Sequence, residues 1–269
     1  MNIFVCAKQV PDTNEIKIDP VTNTLIRKGV PSILNTYDAF ALEQALRLKD
    51  KDPEVKITVI SMGPPQADQM LRDCLAVGAD NAYLVTDRKF GGSDTLATSY
   101  IISEAVKKVA ETEGQPDMVF CGLQAIDGDT AQVGPEIAEH LGLPQVTYAY
   151  TLELNDEGAK VLQEVEGGAR NIQMTLPGLV TFTKYGDEDL RYPKIKNKLK
   201  AKKANIDQIT LEELKDTIDE TAIGLKGSPT RVNKSYTPTV EKTGEMFVDM
   251  EAGEACDKLI AALADKKLI

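Results

Sequence analysis

The sequence predicts an α/β protein: a doubly wound, mainly parallel sheet with antiparallel additions and an extended C-terminal arm. Short apolar runs of strand length stand at 2–8 (NIFVCAK), 55–62 (VKITVISM), 82–85 (AYLV) and 117–122. Between them lie segments whose apolar residues recur at helical spacing. Strands that alternate with helices pair in parallel, with helices on both faces of the sheet. Beyond Gly142 the pattern changes to strand-like alternation.

The elements justify this reading in order. Residues 2–8 form the first strand. Pro11 to Pro31 is polar, with short extended pieces at 15–18 and 24–26, and reads as a hairpin excursion. Asn35 opens a helix whose apolar face is Ala41, Leu42, Ala45, Leu46 and Leu48. The strand 55–62 leads through Gly63-Pro64-Pro65 into a helix stopped by Gly78. After the strand 82–85, a loop at 88–95 precedes a helix over 95–112. Segments 145–154, 160–166, 169–176 and 179–184 read as successive antiparallel strands, turned at 155–158 and 166–168. Thr210 caps a short helix, residues 216–249 lack periodicity, and 251–267 form a last amphipathic helix with Cys256, Leu259, Ile260 and Leu263 on one face. A long stretch with little core pattern usually wraps something. Two regions follow: a nucleotide-binding α/β domain over 1–203 and an arm over 204–269, laid on a partner subunit.

Composition removes several classes of function. The formal charge of -11 over 269 residues speaks against general nucleic-acid binding, and the absence of Trp removes the best base-stacking platform. Four scattered cysteines without CxxC spacing argue against metal centres and disulfides. A single histidine, His140, makes Ser-His or Cys-His catalysis improbable. No stretch approaches the ~20 apolar residues of a membrane span. An N-terminus that reads as a strand, not a leader, points to a cytoplasmic protein.

The organising stretch is Cys121 to Gly142, a strand, a polar loop and a helix start. First-turn amides lack intrahelical partners, and the helix dipole is positive there, so this arrangement can hold an anion. An ordinary βα connection capped by Asp129 or Thr130 reads equally well. Pro135 must lie in the first turn or distort the helix. With Ala7-Lys8-Gln9, 61–64 and 91–95, the loop makes a set at the strands' carboxyl ends, where ligands of such sheets sit. None matches GxGxxG or GxxxxGK[ST], so a nucleotide site of another type is the functional reading, and glycine turns used only for packing are the alternative. The basic run KIKNKLKAKK at 194–203 is either a solvated connector or a docking loop.

Several motifs together resemble the beta (small) subunit of electron transfer flavoproteins over essentially the whole chain. They are VCAKQVPD, NTYDAFALEQALRLK, VISMGPPQADQMLRDCLAVGAD, CGLQAIDGDTAQVGPEIAEHLGLP, LPGLVTF, KLKAKK and GLKGSPTRV at 224–232. The resemblance implies a heterodimer with a flavin-binding alpha subunit, embraced by the C-terminal arm. In ordinary members the beta pocket holds structural AMP. In electron-bifurcating members it holds FAD, which takes a hydride from NADH. The electrons are then split between ferredoxin or flavodoxin and, through the alpha-subunit flavin, an acyl-CoA dehydrogenase.

By position the resemblance assigns the pocket to Cys6, Ala7, Asn35, Tyr37, Asp38 and Met62. It adds Gly122, Gln124, Ala125, Ile126, Asp127, Gly128, Asp129, Thr130, Ala131, Gln132 and Val133. Gly91, Gly92, Ser93, Asp94 and Thr95 look like the bifurcating type, with space for an isoalloxazine and polar groups for its edge, which favours FAD. The helix start after Asp129 would hold the pyrophosphate, with Asp127 and Asp129 on ribose hydroxyls or acting as caps. Ile195, an apolar residue between Lys194 and Lys196, corresponds to the family's docking anchor for the dehydrogenase. No residue is expected to act as nucleophile or base, because the flavin carries the chemistry.

Overall fold

β1 (Asn2–Cys6) sends Ile3 and Val5 into one apolar layer and Phe4 and Cys6 into another. That is the two-residue period of a strand covered on both faces. The computed structural model describes residues 1–12, 31–186, 189–233, 244 and 246–269. β2 (Gln9–Pro11) and β3 (Ser32–Leu34) form a small antiparallel pair. The expected extended pieces at 15–18 and 24–26 lie outside the described residues.

α1 (Thr36–Lys51) buries Ala41, Leu42, Ala45, Leu46 and Leu48, the face its periodicity predicts. β4 (Lys56–Met62), a 3₁₀ turn at Pro65–Ala67 and α2 (Asp68–Val77) follow, and α2 ends at Gly78 as expected. β5 (Asn81–Val85), α3 (Thr95–Glu113), β6 (Met118–Gly122) and α4 (Val133–Leu141) complete the alternation. Pro135 stands in the first turn of α4, where its missing N–H removes no helical bond. α1 and α2 cover the face carrying Ile3 and Val5, and α3 and α4 the opposite face.

The remaining strands are β7 (Gln145–Asn155), β8 (Gly158–Val165), β9 (Gly168–Met174), β10 (Gly178–Phe182) and β11 (Asp207–Ile209). Among the described residues the main sheet has the order β11-β5-β4-β1-β6-β10-β7-β8-β9. β7, β8 and β9 pair antiparallel, as predicted. β10 does not. It inserts between β6 and β7 and runs parallel to both. All five of its residues are buried, and an apolar run covered on both faces is what an internal parallel strand requires.

The chain moves outward from β1 through β4 to β5, then crosses back to β6 on the other side. The order therefore reverses between β1 and β6, which leaves a crevice at their carboxyl ends.

β11 carries no signal of its own and still closes the edge beside β5. α5 (Ile195–Ala201) occupies the basic segment expected as a connector or docking loop. α6 (Leu211–Leu214) begins at Thr210, with Glu213 accepting the Thr210 N–H at 2.8 Å in a capping box. α7 (Gly224–Gly227) follows. Met1–Asn233 form one compact unit, well past the boundary expected at 203/204, and Lys234–Ile269 form a second. In the second unit α8 (Ala252–Asp265) has no buried residue, and Leu259 and Ile260 are exposed. Among the described residues no helix is long and apolar enough to cross a membrane.

Candidate functional site

At the β1/β6 crevice the parallel strands diverge and leave backbone N–H groups to be satisfied by something other than the sheet. Asp38, from the first turn of α1, does this. One carboxylate oxygen accepts the Lys8 N–H at 2.7 Å and the other the Gly122 N–H at 3.0 Å. Burial pushes the Asp38 carboxyl up to about 7, against the Lys8 amide, the Asn35 side chain, the Gly122 amide and the Lys8 charge, which all pull it down. Asn35 braces the neighbouring loop: its Nδ2 donates to the Gln124 carbonyl at 2.8 Å and its Oδ1 accepts the Ile126 N–H at 3.1 Å.

The loop itself closes on Ala125, whose carbonyl accepts from the amides of Gly128 at 3.1 Å and Asp129 at 2.9 Å. Asp129 and Ala131 have φ of 50° and 53°, the left-handed region that side chains other than glycine rarely enter. These two turns carry the chain away from a simple cap. The N-cap of α4 is Gln132, so neither Asp129 nor Thr130 caps the helix. Asp129 instead accepts from Gln124 Nε2 at 2.8 Å, and Asp127 pairs with Lys8 Nζ at 2.7 Å.

A cavity of about 370 Å³ lies on this crevice. It lies toward the small end of the ~300–1,000 Å³ range of small-molecule sites. Of the residues anticipated from sequence, Cys6, Ala7, Asp38, Met62, Gly92, Ser93, Asp94 and Thr95 line it. So do Gly122, Gln124, Ala125, Gly128, Thr130, Ala131, Gln132 and Val133.

Others stand back from it. Asn35, Ile126, Asp127 and Asp129 shape the loop, as described above. Tyr37 packs on the apolar layer, edge-on to Phe40 with ring centroids 6.2 Å apart. Gly91 lines an adjoining cavity of about 700 Å³ at the ends of β4 and β5. The two cavities share Met62 and Phe90 in their walls.

Lys8 and Leu123, which the sequence places in the same carboxyl-end loops, line it too, and so do Phe90, Thr98, Ile102, Cys121, Gly134 and Ile137, which are not among the expected pocket residues. Lys8 had a usable signal, its place in the Ala7-Lys8-Gln9 loop at the carboxyl end of the first strand. The apolar lining residues outside these loops had none, since helix and strand positions facing a cavity share the pattern of those facing core.

Chemically the cavity is a holder. Its floor carries Cys6 and Cys121, register partners on β1 and β6. A hydrogen bond with Cys6, with burial, raises the Cys121 thiol well above its ordinary value. Val133 and Gly134, the first two residues of α4, line the cavity, as does Lys8, whose ammonium pairs with Asp127. Amides at a helix start, a lysine and an apolar wall fit the phosphate and ring parts of a nucleotide.

Comparison with known proteins agrees with this geometry. The profile described as "Electron transfer flavoprotein domain" matches residues 22–214. The chain is 48% identical to the electron transfer flavoprotein subunit beta of Megasphaera elsdenii, with all of both chains covered. It is 46% identical, again with full coverage of both, to the caffeyl-CoA reductase-Etf complex subunit CarD of Acetobacterium woodii. It is 45% identical to the protein FixA of Azorhizobium caulinodans, over 98% of this chain and 94% of that one. A mainly parallel sheet with a crevice at its reversal point, matched over full length to beta subunits, places this chain in the electron transfer flavoprotein family as a beta subunit.

Proposed function

We propose that the chain is the small subunit of a heterodimeric, electron-bifurcating flavoprotein whose switch-point cavity holds FAD. The observation that carries this reading is the meeting of two cavities, about 370 and 700 Å³, at Met62 and Phe90. Together they offer more room than a mononucleotide needs. Bound FAD would supply the chemistry: acceptance of a hydride from NADH and onward electron transfer to ferredoxin or flavodoxin and to the alpha-subunit FAD.

This chain's own residues bind and orient. The Val133 and Gly134 amides and Lys8 would hold the phosphates, Asp38 keeps the Lys8 and Gly122 backbone in place, and Phe90, Ile102 and Ile137 would keep water from the apolar wall. Structural AMP is the second reading. It is favoured by the smaller cavity alone and by Ser93 and Asp94, whose side chains already have protein partners. Nucleotide analysis of the denatured heterodimer separates the two. Two FAD per heterodimer are expected, one FAD with one AMP supports the second reading, and a beta subunit without either removes both.

The acceptor side of the proposal rests on α5. Tyr192, Ile195 and Leu199 are 97%, 80% and 59% exposed, and Ile195 and Leu199 lie one helical turn apart. Arginines brace both ends. Arg191 grips Glu43 at 2.9 Å and Asp50 at 2.7 Å, and Arg72 donates to the carbonyls of Ala201 and Ala204 at 2.9 and 2.8 Å. A rigid helix offering an apolar pair among lysines suits a transient contact with an acidic partner surface. We assign that partner to an acyl-CoA dehydrogenase, in keeping with the relative named for a caffeyl-CoA reductase complex. Ile195→Ala should raise the KM for the dehydrogenase roughly 5- to 30-fold, the effect of losing an anchor worth about 1–2 kcal/mol. NADH oxidation with artificial acceptors should not change. Equal transfer rates at limiting dehydrogenase would remove Ile195 from the interface. The second unit, 234–269, is assigned to the alpha subunit, with the exposed Leu259 and Ile260 of α8 as contacts.

A further inference from the structure

The GLKGSPTRV motif lines neither cavity, yet the cavity loop is built on it. Ser93 Oγ donates to the Phe90 carbonyl at 2.8 Å and accepts the Gly224 N–H at 3.1 Å. Asp94 uses one carboxylate oxygen to cap α3, accepting the Ala97 N–H at 3.1 Å. The other accepts the Thr230 N–H at 3.0 Å and the Thr230 hydroxyl at 2.8 Å. The Asp94 N–H donates to Ser228 Oγ at 2.8 Å, and that buried hydroxyl donates to the Gly224 carbonyl at 2.7 Å.

The backbones are pressed together as well. Gly224 has φ of 61°, and a Cβ there would lie 2.1 Å from the Lys89 carbonyl oxygen, so only glycine serves. On its other side the same loop lines the cavity with Gly92, Ser93, Asp94 and Thr95. Past Thr230 the chain enters the second unit at Lys234.

We propose that Ser228 and Thr230 are positioning residues for the cofactor cavity, acting through Asp94 and the Gly92–Thr95 loop, and that cavity occupancy is thereby coupled to the root of the C-terminal arm. This rests on the reading that the cavity holds a nucleotide cofactor. Neither residue touches the cavity, so a cofactor feels them only through the loop they hold. Burial works to raise the Asp94 pKa, but the Thr230 and Ala97 amides and the Thr230 and Ser228 hydroxyls outweigh it and hold the carboxyl below the usual range. Within this latch the Thr230 bonds to the Asp94 carboxylate are thus charge-assisted and stronger than neutral ones, while Ser228 adds neutral bonds to the same loop. Coupling between two sites is reciprocal: if the latch favours the bound cofactor, the bound cofactor must favour the latch.

The test uses the full heterodimer, stripped of the beta nucleotide and titrated with AMP and with FAD. Ser228→Ala and Thr230→Val should each weaken binding about fivefold or more, the lower end of measured couplings. Amide exchange over 224–230 in the wild type should slow on loading by a similar factor. A variant with the melting temperature of the stripped wild type and weakened binding separates positioning from general destabilisation. If either variant fails to assemble, the exchange comparison on the wild type decides alone. Unchanged affinity in both variants, or exchange at 224–230 indifferent to loading, overturns the inference while leaving the cofactor reading intact. A wild type that binds neither AMP nor FAD overturns that reading and the inference with it.

Discussion

Gly122→Ala should be among the most damaging additions of one methyl group to this chain. A Cβ on Gly122 would lie 2.3 Å from Asp38 Oδ1 and 2.6 Å from both the Asp38 nitrogen and the Tyr37 carbonyl carbon. Non-bonded carbon contacts settle near 3.5–4.0 Å, so the overlap is far inside the repulsive wall. Two of the three atoms are backbone, and no rotamer change relieves them. Either the first turn of α1 withdraws from the end of β6 or the strand end bends. Both outcomes separate Asp38 from the Gly122 N–H and open the crevice. The expected loss is more than about 3 kcal/mol, the upper range for overpacking, with the beta nucleotide absent from the purified heterodimer. Denaturant unfolding and nucleotide content measure the two effects. A wild-type midpoint with full occupancy would show that the crevice tolerates what the geometry forbids.

Asp38→Ala attacks the same junction from the other side. It leaves the Lys8 and Gly122 amides without their acceptor, at about 1–3 kcal/mol for each N–H that finds no replacement. The pH dependence has a definite sign. The folded carboxyl is pushed up to about 7 from an ordinary value of 3.8, so the folded state binds its proton more tightly than the unfolded state. The stability it contributes is fully present below the ordinary carboxylate range and is lost as pH rises through about 7. The stability difference between wild type and Asp38→Ala should therefore be largest near pH 4 and narrow toward pH 8. Comparing the two profiles cancels the carboxylates held low elsewhere, such as Asp50 in the Arg191 pair and Asp94 in its cap. A difference that is flat or widens with pH would mean that Asp38 is ionised throughout. Carbon-13 titration of the Asp38 carboxyl gives an independent check, with a midpoint near 7 expected.

Both predictions concern residues that the resemblance places in the pocket, and the structure adds the backbone partners that they serve. Asp38 lines the cavity, and Asn35 braces the loop beside it. Their hydrogen bonds go to Lys8, Gly122, Gln124 and Ile126, backbone that the site depends on. Ser93 and Asp94 were assigned to a flavin edge, and their side chains hold the arm root as well as lining the cavity. A motif records which residues a site needs without distinguishing those that meet the ligand from those that hold the loop.

The apolar run of β1 and the periodic face of α1 determined by themselves that a doubly wound core would form, because burial period is written locally. The stop at Gly78 and the cap at Thr210 were equally local. What only tertiary structure decided is where a short segment finds its partners. GLVTF follows three alternating strands in sequence, yet it pairs with β6, far back in the chain, because only an internal position buries both of its faces. β11 is three residues long and exists because β5 offers an open edge. The start of α4 moved past Asp129 and Thr130 because two left-handed residues and the bonds of Asn35 shape the loop, and those bonds come from another element. Period and capping act over a few residues and can be read from the chain; strand order and loop support are contacts between distant segments, and they exist only once the chain has folded.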